Sequence, residues 1–345
     1  MDTYELEMMA RQLVAEGQGI LAADESTRTI TRRLKTIDVE STPETRRAYR
    51  QLLFTTPEIE NYISGVILYD ETIRQSADDG TPFRELLSSR GIVPGIKVDK
   101  GTADLPFLGG EKITEGLDGL RQRLAEYAEM GAGFTKWRAV ITIGDHAPTD
   151  TCISANALAL ARFAALSQEA GLVPIVEPEV LMDGDHSIQR CEEVTLTTLG
   201  RVFAELMSHR VHLEGMLLKP NMVISGEDSP EQAGVEEVAE ATIRCLRRTV
   251  PAAVPGIVFL SGGQTPERAT AHLNAMNARG PHPWELSFSY GRALQEPPLN
   301  AWHGREENVP EAQRLFLWRA RLNSEARYGR YMPEMGKEAE TISQR

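Results

Sequence analysis

The chain has 345 residues, 41% of them hydrophobic and 25% charged, which is ordinary for a globular protein and enough to bury a large core. Its net charge of -13 argues against a nucleic-acid surface or an anionic membrane as the main partner. If the ligand of this acidic chain is itself anionic, the basic residues must be concentrated at one site.

The cysteine content and the N-terminal sequence are typical of a protein in a reducing compartment. Three scattered cysteines are too few for a disulfide framework or a structural zinc site. The N-terminus has no basic segment followed by an apolar stretch, so no secretory signal is predicted. No uninterrupted apolar run approaches about 20 residues, the length that crosses a membrane. We therefore expect a cytoplasmic protein with no membrane partner.

Eight short runs rich in Val, Ile, Leu and Phe recur along the chain, with helix-like stretches between them. Nearly continuous apolarity is typical of parallel strands that are covered on both sides. Helical periodicity marks residues 153–169 and 235–249, and Pro266 is predicted to begin another helix with Thr265 as its N-cap. The predicted strands are Gly19–Ala23, Ser64–Tyr69, Val93–Val98, Phe134–Ile141, Val173–Val176, Gly215–Leu218, Gly256–Leu260 and Glu285–Ser289.

Strands that alternate with helices in this way predict an α/β fold, a closed (β/α)8 TIM barrel rather than an open sheet. No Ser/Gly linker, low-complexity tract or obvious repeat divides the chain. We expect one domain over residues 1–345, with the barrel over about residues 18–325 and a C-terminal tail over about residues 326–345.

Charged or hydroxyl-bearing residues stand near the C-terminal end of almost every predicted strand. In a barrel these ends meet at one face, and that face holds the active site. A single polar residue often merely ends a strand, so the set predicts a site more strongly than any one member. The residues are Asp24, Asp70, Lys97, Asp99, Lys136, Arg138, Glu177, Glu179, Lys219, Ser261 and Ser289.

Lys136 and Lys219 are the sharpest signals, because lysine is depleted in strands and is rarely buried without a partner. A lysine buried among other cations spends part of its time as a free amine, which attacks a carbonyl carbon. The alternative is that each lysine extends to solvent or pairs with a structural carboxylate. Glu177, Glu179 and Asp24 favour chemistry as a group, because imine formation needs acids that deliver and accept protons.

Two glycine-rich turns follow the seventh and eighth predicted strands and lead into helices. Glycine lets backbone N–H groups approach an anion, and a helix N-terminus adds a favourable dipole. In barrels these two loops are the usual phosphate site, and an arginine there adds a charge-assisted contact. The predicted phosphate-binding residues are Ser261, Gly262, Gly263, Ser289, Gly291 and Arg292.

The histidines argue against a metal enzyme. His209 and His212 have a tempting spacing but precede the sixth strand, so we expect them at the opposite face of the barrel. The remaining histidines form no ligand cluster with the strand-end residues. We therefore expect no metal site and no cofactor.

Seven segments, in this order, resemble the signatures of class I fructose-bisphosphate aldolases, and the resemblance covers nearly the whole chain. It implies a metal-independent lyase that reversibly cleaves fructose 1,6-bisphosphate to dihydroxyacetone phosphate and glyceraldehyde 3-phosphate through a Schiff base. It also suggests a homotetramer. The segments are Gly19–Ser26, Gly95–Gly101, Lys136–Arg138, Val173–Glu179, Leu217–Asn221, Leu260–Gln264 and Phe288–Ala293.

The resemblance also implies catalytic roles. The amine of Lys219 would attack the substrate ketone, and Glu177 would transfer protons while the carbinolamine loses water. Asp24 would take the proton of the C4 hydroxyl as the C3–C4 bond breaks. Lys136 would act on the charge state of Lys219 and stabilise developing oxyanions, and Glu179 would orient this charge network.

The two substrate phosphates are assigned by the same resemblance. The phosphate near the ketone would be held by the residues of the two glycine-rich turns. The opposite phosphate would lie toward Lys97, Arg138 and Arg33. Arg28 and Thr29 stand where the family commonly has glycine and serine, which bears on the phosphate contact near Arg33.

The end of the chain departs from the family pattern as well. The well-known animal and plant members end in a tyrosine that assists enamine protonation, whereas this chain ends Thr341–Arg345, with Tyr328 and Tyr331 upstream. Our hypothesis is that cleavage is retained, while release of the enamine is slower or uses another proton donor.

Two alternatives stay open. One is a related Schiff-base aldolase that prefers sedoheptulose bisphosphate or fructose 1-phosphate. The other is a non-catalytic sugar-phosphate binder on the same fold. The combination of Asp24, Lys136, Glu177 and Lys219 weighs against the binder, because simple binding does not require a nucleophile beside its acids.

Overall fold

A computed structural model describes residues 3–336 as a closed barrel of eight parallel strands ringed by helices. The predicted (β/α)8 barrel is therefore confirmed. Two further short strands, β4 and β5, form an antiparallel hairpin outside the barrel. The strands are β1 Gly19–Ala23, β2 Ile63–Leu68, β3 Val93–Lys97, β4 Thr102–Asp104, β5 Lys112–Thr114, β6 Phe134–Ile141, β7 Val173–Val180, β8 Leu217–Leu218, β9 Gly256–Phe259 and β10 Glu285–Tyr290.

The helices lie mainly between consecutive barrel strands, as parallel strand connections require. Among the helices of residues 3–336, none combines the length and apolarity needed to span a bilayer. They are α1 Thr3–Leu13, α2 Thr27–Lys35, α3 Pro43–Phe54, α4 Asp70–Ile73, α5 Phe83–Ser89, α6 Leu120–Glu129, α7 Asp150–Glu169, α8 Ile188–Ser208, α9 Val235–Thr249, α10 Pro266–Ala278, α11 Arg292–Trp302 and α12 Val309–Arg327, with 3-10 turns at Ile59–Asn61, Leu213–Gly215 and Glu306–Asn308.

The strand predictions differ from the structure mainly at the ends. β1 and β6 have the predicted bounds, whereas β7 runs four residues further and carries both of its acids within the strand. The predicted start of the sixth barrel strand at Gly215 is wrong, because residues 213–215 form a 3-10 turn and β8 contains only two residues. The β4–β5 hairpin was missed, since each strand has only three residues and only one of the six is buried.

Local capping explains where two of the helices begin. The predicted N-cap at Thr265 is confirmed, because its side chain accepts a hydrogen bond from the N–H of Arg268 at 3.3 Å. The helix predicted from residue 153 begins earlier, at Asp150. There the side chain of Thr149 accepts a hydrogen bond from the N–H of Cys152 at 3.2 Å.

The N-terminal helix α1 fills the barrel at the end where the strands begin. Its buried residues Leu6, Ala10 and Leu13 pack inside the barrel against the first residues of several strands. The hydroxyl of Ser64 donates a hydrogen bond to the carbonyl of Leu13 at 2.6 Å and ties the end of α1 to β2. The interior is therefore apolar at this end, which leaves the opposite end for polar side chains.

We expect the Leu13→Ala variant to lose about 2–5 kcal/mol of the free energy of unfolding, because Leu13 is fully buried and a cavity remains when it is truncated. Denaturant unfolding measures the loss. Met8→Ala is the matched control on the same helix, since Met8 is 51% exposed and its truncation should cost less than about 0.5 kcal/mol. Equal losses in the two variants would contradict the role of α1 as a barrel plug.

Candidate active site

The C-terminal ends of the barrel strands surround one cavity of about 310 Å³. Every site residue predicted from the sequence lines it, with the exceptions of Gly263 and of Asp70, which lies in the adjoining basin and pairs with Arg74. The structure thus brings together side chains that are separated by up to 268 positions in the sequence, from Asp24 to Arg292. The predicted residues in the lining are Asp24, Arg33, Lys97, Lys136, Arg138, Glu177, Glu179, Lys219, Ser261, Gly262, Ser289, Gly291 and Arg292.

Strand register sets the order of the charges across the cavity. Lys97 on β3 pairs with Lys136 on β6, and Arg138 on β6 pairs with Glu177 on β7. Because side chains alternate along a strand, residues two apart point to the same side, so β6 and β7 each present two charged groups to the cavity. The register therefore places two cations side by side on β3 and β6, and a cation beside an acid on β6 and β7.

The centre of the cavity is a buried network of two lysines and two acids. Nζ of Lys136 lies 2.6 Å from Oδ2 of Asp24 and 3.2 Å from Oε2 of Glu177. Nζ of Lys219 lies 3.2 Å from Oε1 of the same glutamate, and its backbone N–H donates to the carbonyl of Val176. Both lysine side chains are only 4% exposed. Charges this deeply buried are tolerated only when they are paired, so Glu177 serves both amines.

The network fixes the charge of two of its members. Burial raises the pKa of the Asp24 carboxyl, but the positive charges of Lys136 and Lys219 outweigh burial and hold that pKa well below its usual range. Burial lowers the pKa of Lys136, but the charges of Asp24 and Glu177 outweigh it and raise that pKa above its usual value. Asp24 is thus a carboxylate and Lys136 an ammonium at neutral pH.

A second buried ion network, which was not predicted from the sequence, lies directly beside Asp24. Glu25 pairs with Arg33 through one oxygen and with Arg50 through the other, at 2.5 Å for Arg50. The amide of Gln295 also donates to Glu25 at 2.9 Å. The adjacent acids Asp24 and Glu25 at the end of β1 could have indicated this network, because two adjacent carboxylates need different partners when both are buried.

Two of the cations predicted for the opposite phosphate already have carboxylate partners. Nζ of Lys97 lies 2.6 Å from Oδ1 of Asp99, and Nε of Arg138 donates to Oε2 of Glu179. Each pair is close to electrically neutral. These cations therefore present less net positive charge to an anion than the sequence suggested.

Arg33 requires a correction of position. The resemblance grouped it with Lys97 and Arg138, but the structure places it at the loop after β10. A methyl group built on Gly291 would lie 3.7 Å from Nη2 of Arg33. Arg33 therefore lies beside the loop of Gly291, one of the two turns predicted to bind the phosphate near the ketone.

Unpaired cations lie in a basin of about 830 Å³ that adjoins the cavity and shares Ser26 and Thr29 with it. Within residues 3–336, the side chains of Arg28, Arg32 and Lys100 make no ion pair or hydrogen bond, whereas the other cations of the basin have carboxylate or carbonyl partners. The sequence did carry a signal for this basin, since α2 contains four basic residues and no acidic one.

The two predicted phosphate turns have different contacts. The hydroxyl of Ser289 is buried, with a side chain that makes no hydrogen bond within the described residues, so it is available to a ligand. Gly262 has φ of 56°, in the left-handed region that favours glycine. Gly263 lies outside the cavity lining, and its N–H donates to Sδ of Met182 at 2.9 Å. The first turn thus presents Ser261 and Gly262.

Neither upstream tyrosine lines the cavity. The hydroxyl of Tyr328 packs against Gly17, which precedes β1 and lies at the opposite end of the barrel. Tyr331 is buried in the outer hydrophobic core. Thr341–Arg345, on which the hypothesis about the chain end depends, lie outside the described residues.

The histidine pair lies where the sequence predicted it. Nε2 of His212 is 2.8 Å from Oε1 of Glu7 on α1, at the end of the barrel away from the cavity. Within residues 3–336, no group of three or more His, Cys, Asp or Glu side chains is arranged to hold a metal ion.

We expect Glu25→Gln to lower the free energy of unfolding by roughly 3 kcal/mol at pH 7, because it leaves the buried Arg50 without its countercharge. Burial raises the pKa of Glu25, but Arg33 and Arg50 lower it below its ordinary value of 4.5. The stabilisation is therefore complete above pH 4.5 and is lost as the pH falls through the lower folded-state value.

Denaturant unfolding of both proteins between pH 7 and pH 4 measures this effect. The difference between wild type and Glu25→Gln should narrow at the acid end. Glu231→Gln is the matched control, because Glu231 is exposed and its substitution should change stability little at any pH. A difference that does not depend on pH would show that the carboxylate charge is not the source of the stabilisation.

Comparison with known proteins gives a consistent result over almost the whole chain. Residues 5–344 match the family model described as fructose-bisphosphate aldolase class-I. A probable class 1 fructose-bisphosphate aldolase of Xanthomonas campestris is 56% identical over 332 residues, which is 96% of this chain and 99% of that protein. The cytosolic fructose-bisphosphate aldolase 4 of Arabidopsis thaliana is 54% identical over 330 residues, covering 95% and 84% of the two chains.

A solved structure extends the likeness to three dimensions. The fructose-bisphosphate aldolase of Plasmodium falciparum, crystallised with TRAP and a small-molecule inhibitor, superposes with a TM-score of 0.94 at 51% identity and covers 95% of both chains. These matches confirm the family, the fold and the metal-independent lyase class that the resemblance implied. The chain belongs to the class I fructose-bisphosphate aldolase family and has its aldolase activity.

Proposed function

We propose that the reversible cleavage of fructose 1,6-bisphosphate proceeds here through a Schiff base on Lys219. The observation that carries this proposal is the contact of one buried carboxylate, Glu177, with the amines of both Lys219 and Lys136 at 3.2 Å. A nucleophilic amine next to an acid that can exchange protons is the arrangement that imine formation requires.

Imine formation needs one proton removed and one supplied. Glu177 first takes a proton from the ammonium of Lys219, which it contacts at 3.2 Å, and the resulting neutral amine attacks the C2 ketone carbon, so that the carbonyl oxygen becomes an oxyanion. The nitrogen of the adduct then gives a proton to that oxyanion, which yields the neutral carbinolamine. Glu177 returns its proton to the hydroxyl, which leaves as water while the nitrogen lone pair forms the iminium, and the carboxylate is restored. Lys136 remains protonated throughout, because Asp24 and Glu177 raise its pKa, and it stabilises the oxyanion that forms during attack.

Asp24 is the proposed base for carbon–carbon cleavage. It accepts the proton of the C4 hydroxyl, the C3–C4 bond breaks to give the aldehyde, and the bonding electrons move into the iminium to form a neutral enamine. Before cleavage, the cationic nitrogen at Lys219 helps to hold the pKa of Asp24 low. Neutralisation of that nitrogen removes this effect as the proton arrives, so cleavage itself makes Asp24 a stronger base.

The phosphate near the ketone is assigned to the loops after β9 and β10. Ser289 supports this assignment, because its buried hydroxyl makes no hydrogen bond within the described residues. Arg33 is reassigned to this phosphate from its position beside Gly291. Ser261, Gly262 and Arg292 complete the site as cavity-lining residues.

The opposite phosphate is assigned to Lys97 and Arg138 together with the adjoining basin. Both of those cations have carboxylate partners, so the net positive charge comes from Arg28, Arg32 and Lys100. These exposed cations face a basin that is continuous with the cavity, and they supply the charge that a second phosphate needs.

The biological setting is proposed from the relatives. We propose a cytoplasmic location, because relatives from Arabidopsis and chickpea are named cytosolic or cytoplasmic. A homotetramer is proposed from the family resemblance. We also propose that residues 1–345 form one domain with its barrel over about residues 18–325.

The Schiff base is tested by reduction with borohydride in the presence of dihydroxyacetone phosphate. We expect a substrate-dependent mass increase on the peptide that contains Lys219, and catalysis that survives a metal chelator. Lys219→Arg keeps the positive charge but lacks a nucleophilic amine, so it should abolish trapping and lower the cleavage rate by at least about 10³-fold. Lys35→Arg, an exchange at an exposed lysine of α2, is the matched control. Trapping at a different lysine would refute the assignment.

The distal phosphate site is tested with Arg28→Gln. We expect the KM for fructose 1,6-bisphosphate to rise about 3- to 10-fold, because one charge-assisted contact is lost. The KM for fructose 1-phosphate should not change, since that substrate has no second phosphate. Lys35→Gln removes an exposed charge from the same helix outside the basin and should leave both constants unchanged. An equal rise for both substrates would place the effect elsewhere.

A further inference from the structure

One buried histidine outside the cavity contacts the loop Ser261–Gln264, which follows β9. His272 lies on α10 and is 0% exposed. Its Nδ1 lies 2.6 Å from Oε1 of Gln264, the last residue of the segment Ser261–Gln264 that follows β9. A side-chain amide oxygen only accepts hydrogen bonds, so Nδ1 of His272 carries the proton and donates it.

The other contacts of Gln264 hold the loop to the barrel. Its side-chain N–H donates to Sδ of Met222, a buried residue three positions after Lys219, at 3.7 Å. Its backbone N–H closes the turn onto the carbonyl of Ser261 at 3.1 Å. The amide of Gln264 therefore links the phosphate loop to the segment that carries the nucleophile on one side and to α10 on the other.

The histidine stays neutral in this position. Burial and, secondarily, the charge of Arg268 lower its pKa to about 4. Its second ring nitrogen, Nε2, makes no hydrogen bond within residues 3–336. Burying an imidazole with one unsatisfied nitrogen costs free energy that an apolar side chain of similar size would not. The contact with Gln264 is the polar interaction that offsets this cost.

We propose that His272 is a positioning residue that holds the loop Ser261–Gln264 in the conformation that binds the substrate phosphate. Ser261 and Gly262 reach the cavity, whereas Gln264 turns away from it toward α10. A loop fixed before the substrate arrives loses less conformational entropy when the phosphate binds. The inference rests on the proposed assignment of this loop to the phosphate near the ketone.

The test compares His272→Leu with His272→Asn. Leucine removes the donor, whereas the side-chain amide nitrogen of asparagine can take the place of Nδ1 and donate to Gln264. We expect His272→Leu to raise the KM for fructose 1,6-bisphosphate and the inhibition constant of inorganic phosphate roughly 3- to 10-fold, with kcat within about twofold of wild type. His272→Asn should restore both constants to within about twofold of wild type.

Gln264→Met removes the same hydrogen bond from the side of the loop and keeps the inference testable if the leucine variant does not fold. It should raise the KM to a similar extent, and combining it with His272→Leu should add little, because the two changes remove one interaction. An unchanged KM in the single variants, equal constants for leucine and asparagine, or a fall in kcat without a change in KM would each overturn the inference.

Borohydride trapping separates this result from the proposed function. The His272 variants should still form the reduced adduct on Lys219 at saturating dihydroxyacetone phosphate. Normal trapping with an unchanged KM would reject the role of His272 alone. Absence of trapping on Lys219 in the wild-type enzyme would reject the proposed function itself.

Discussion

The shared carboxylate of Glu177 is the interaction on which the rest of the site depends. It lies 3.2 Å from each of two buried amines, and Asp24 forms a second ion pair with Lys136. Four charged groups would be prohibitively costly in this interior without such pairing. The pairing balances two negative and two positive groups when Lys219 is protonated, and loss of its proton leaves one negative charge unbalanced. A change in the charge of Lys219 therefore changes its electrostatic interaction with both Asp24 and Glu177.

Much of the fold could be predicted because barrel strands have a simple physical signature. Strands covered on both sides are apolar throughout, and β1 and β6 were predicted with their observed bounds for this reason. The signature fails where hydrogen bonding rather than apolarity ends the element. Glu177 and Glu179 interrupt the apolar run but stay within β7, because β6 pairs with that strand along its whole length. Conversely, the apolar run before Lys219 gives only a two-residue strand.

The site was predictable as a set of residues but not as a set of contacts. Apart from Asp70, the residues predicted at strand ends do line the cavity, because a barrel gathers strand ends at one face. Sequence could not tell which cations are neutralised: Lys97 and Arg138 have acid partners, whereas Arg28 has none among residues 3–336. Nor could it place Arg33, which reaches the loop of Gly291 because Glu25 holds its guanidinium there. Pairing is a property of three-dimensional neighbours, and one sequence does not specify them.

The helix α1 has a consequence for how reactants travel. Because its apolar face occupies the far end of the barrel, the mouth above Lys219 is the route for arrivals and departures alike. In the mechanism that we propose, one fragment is still covalently attached to Lys219 after cleavage, while the aldehyde fragment is free to diffuse. The proposed mechanism therefore makes departure sequential: the three-carbon aldehyde leaves first, and dihydroxyacetone phosphate follows after hydrolysis. Because the barrel is closed at one end and one product stays covalently bound in this mechanism, the two products leave one after the other.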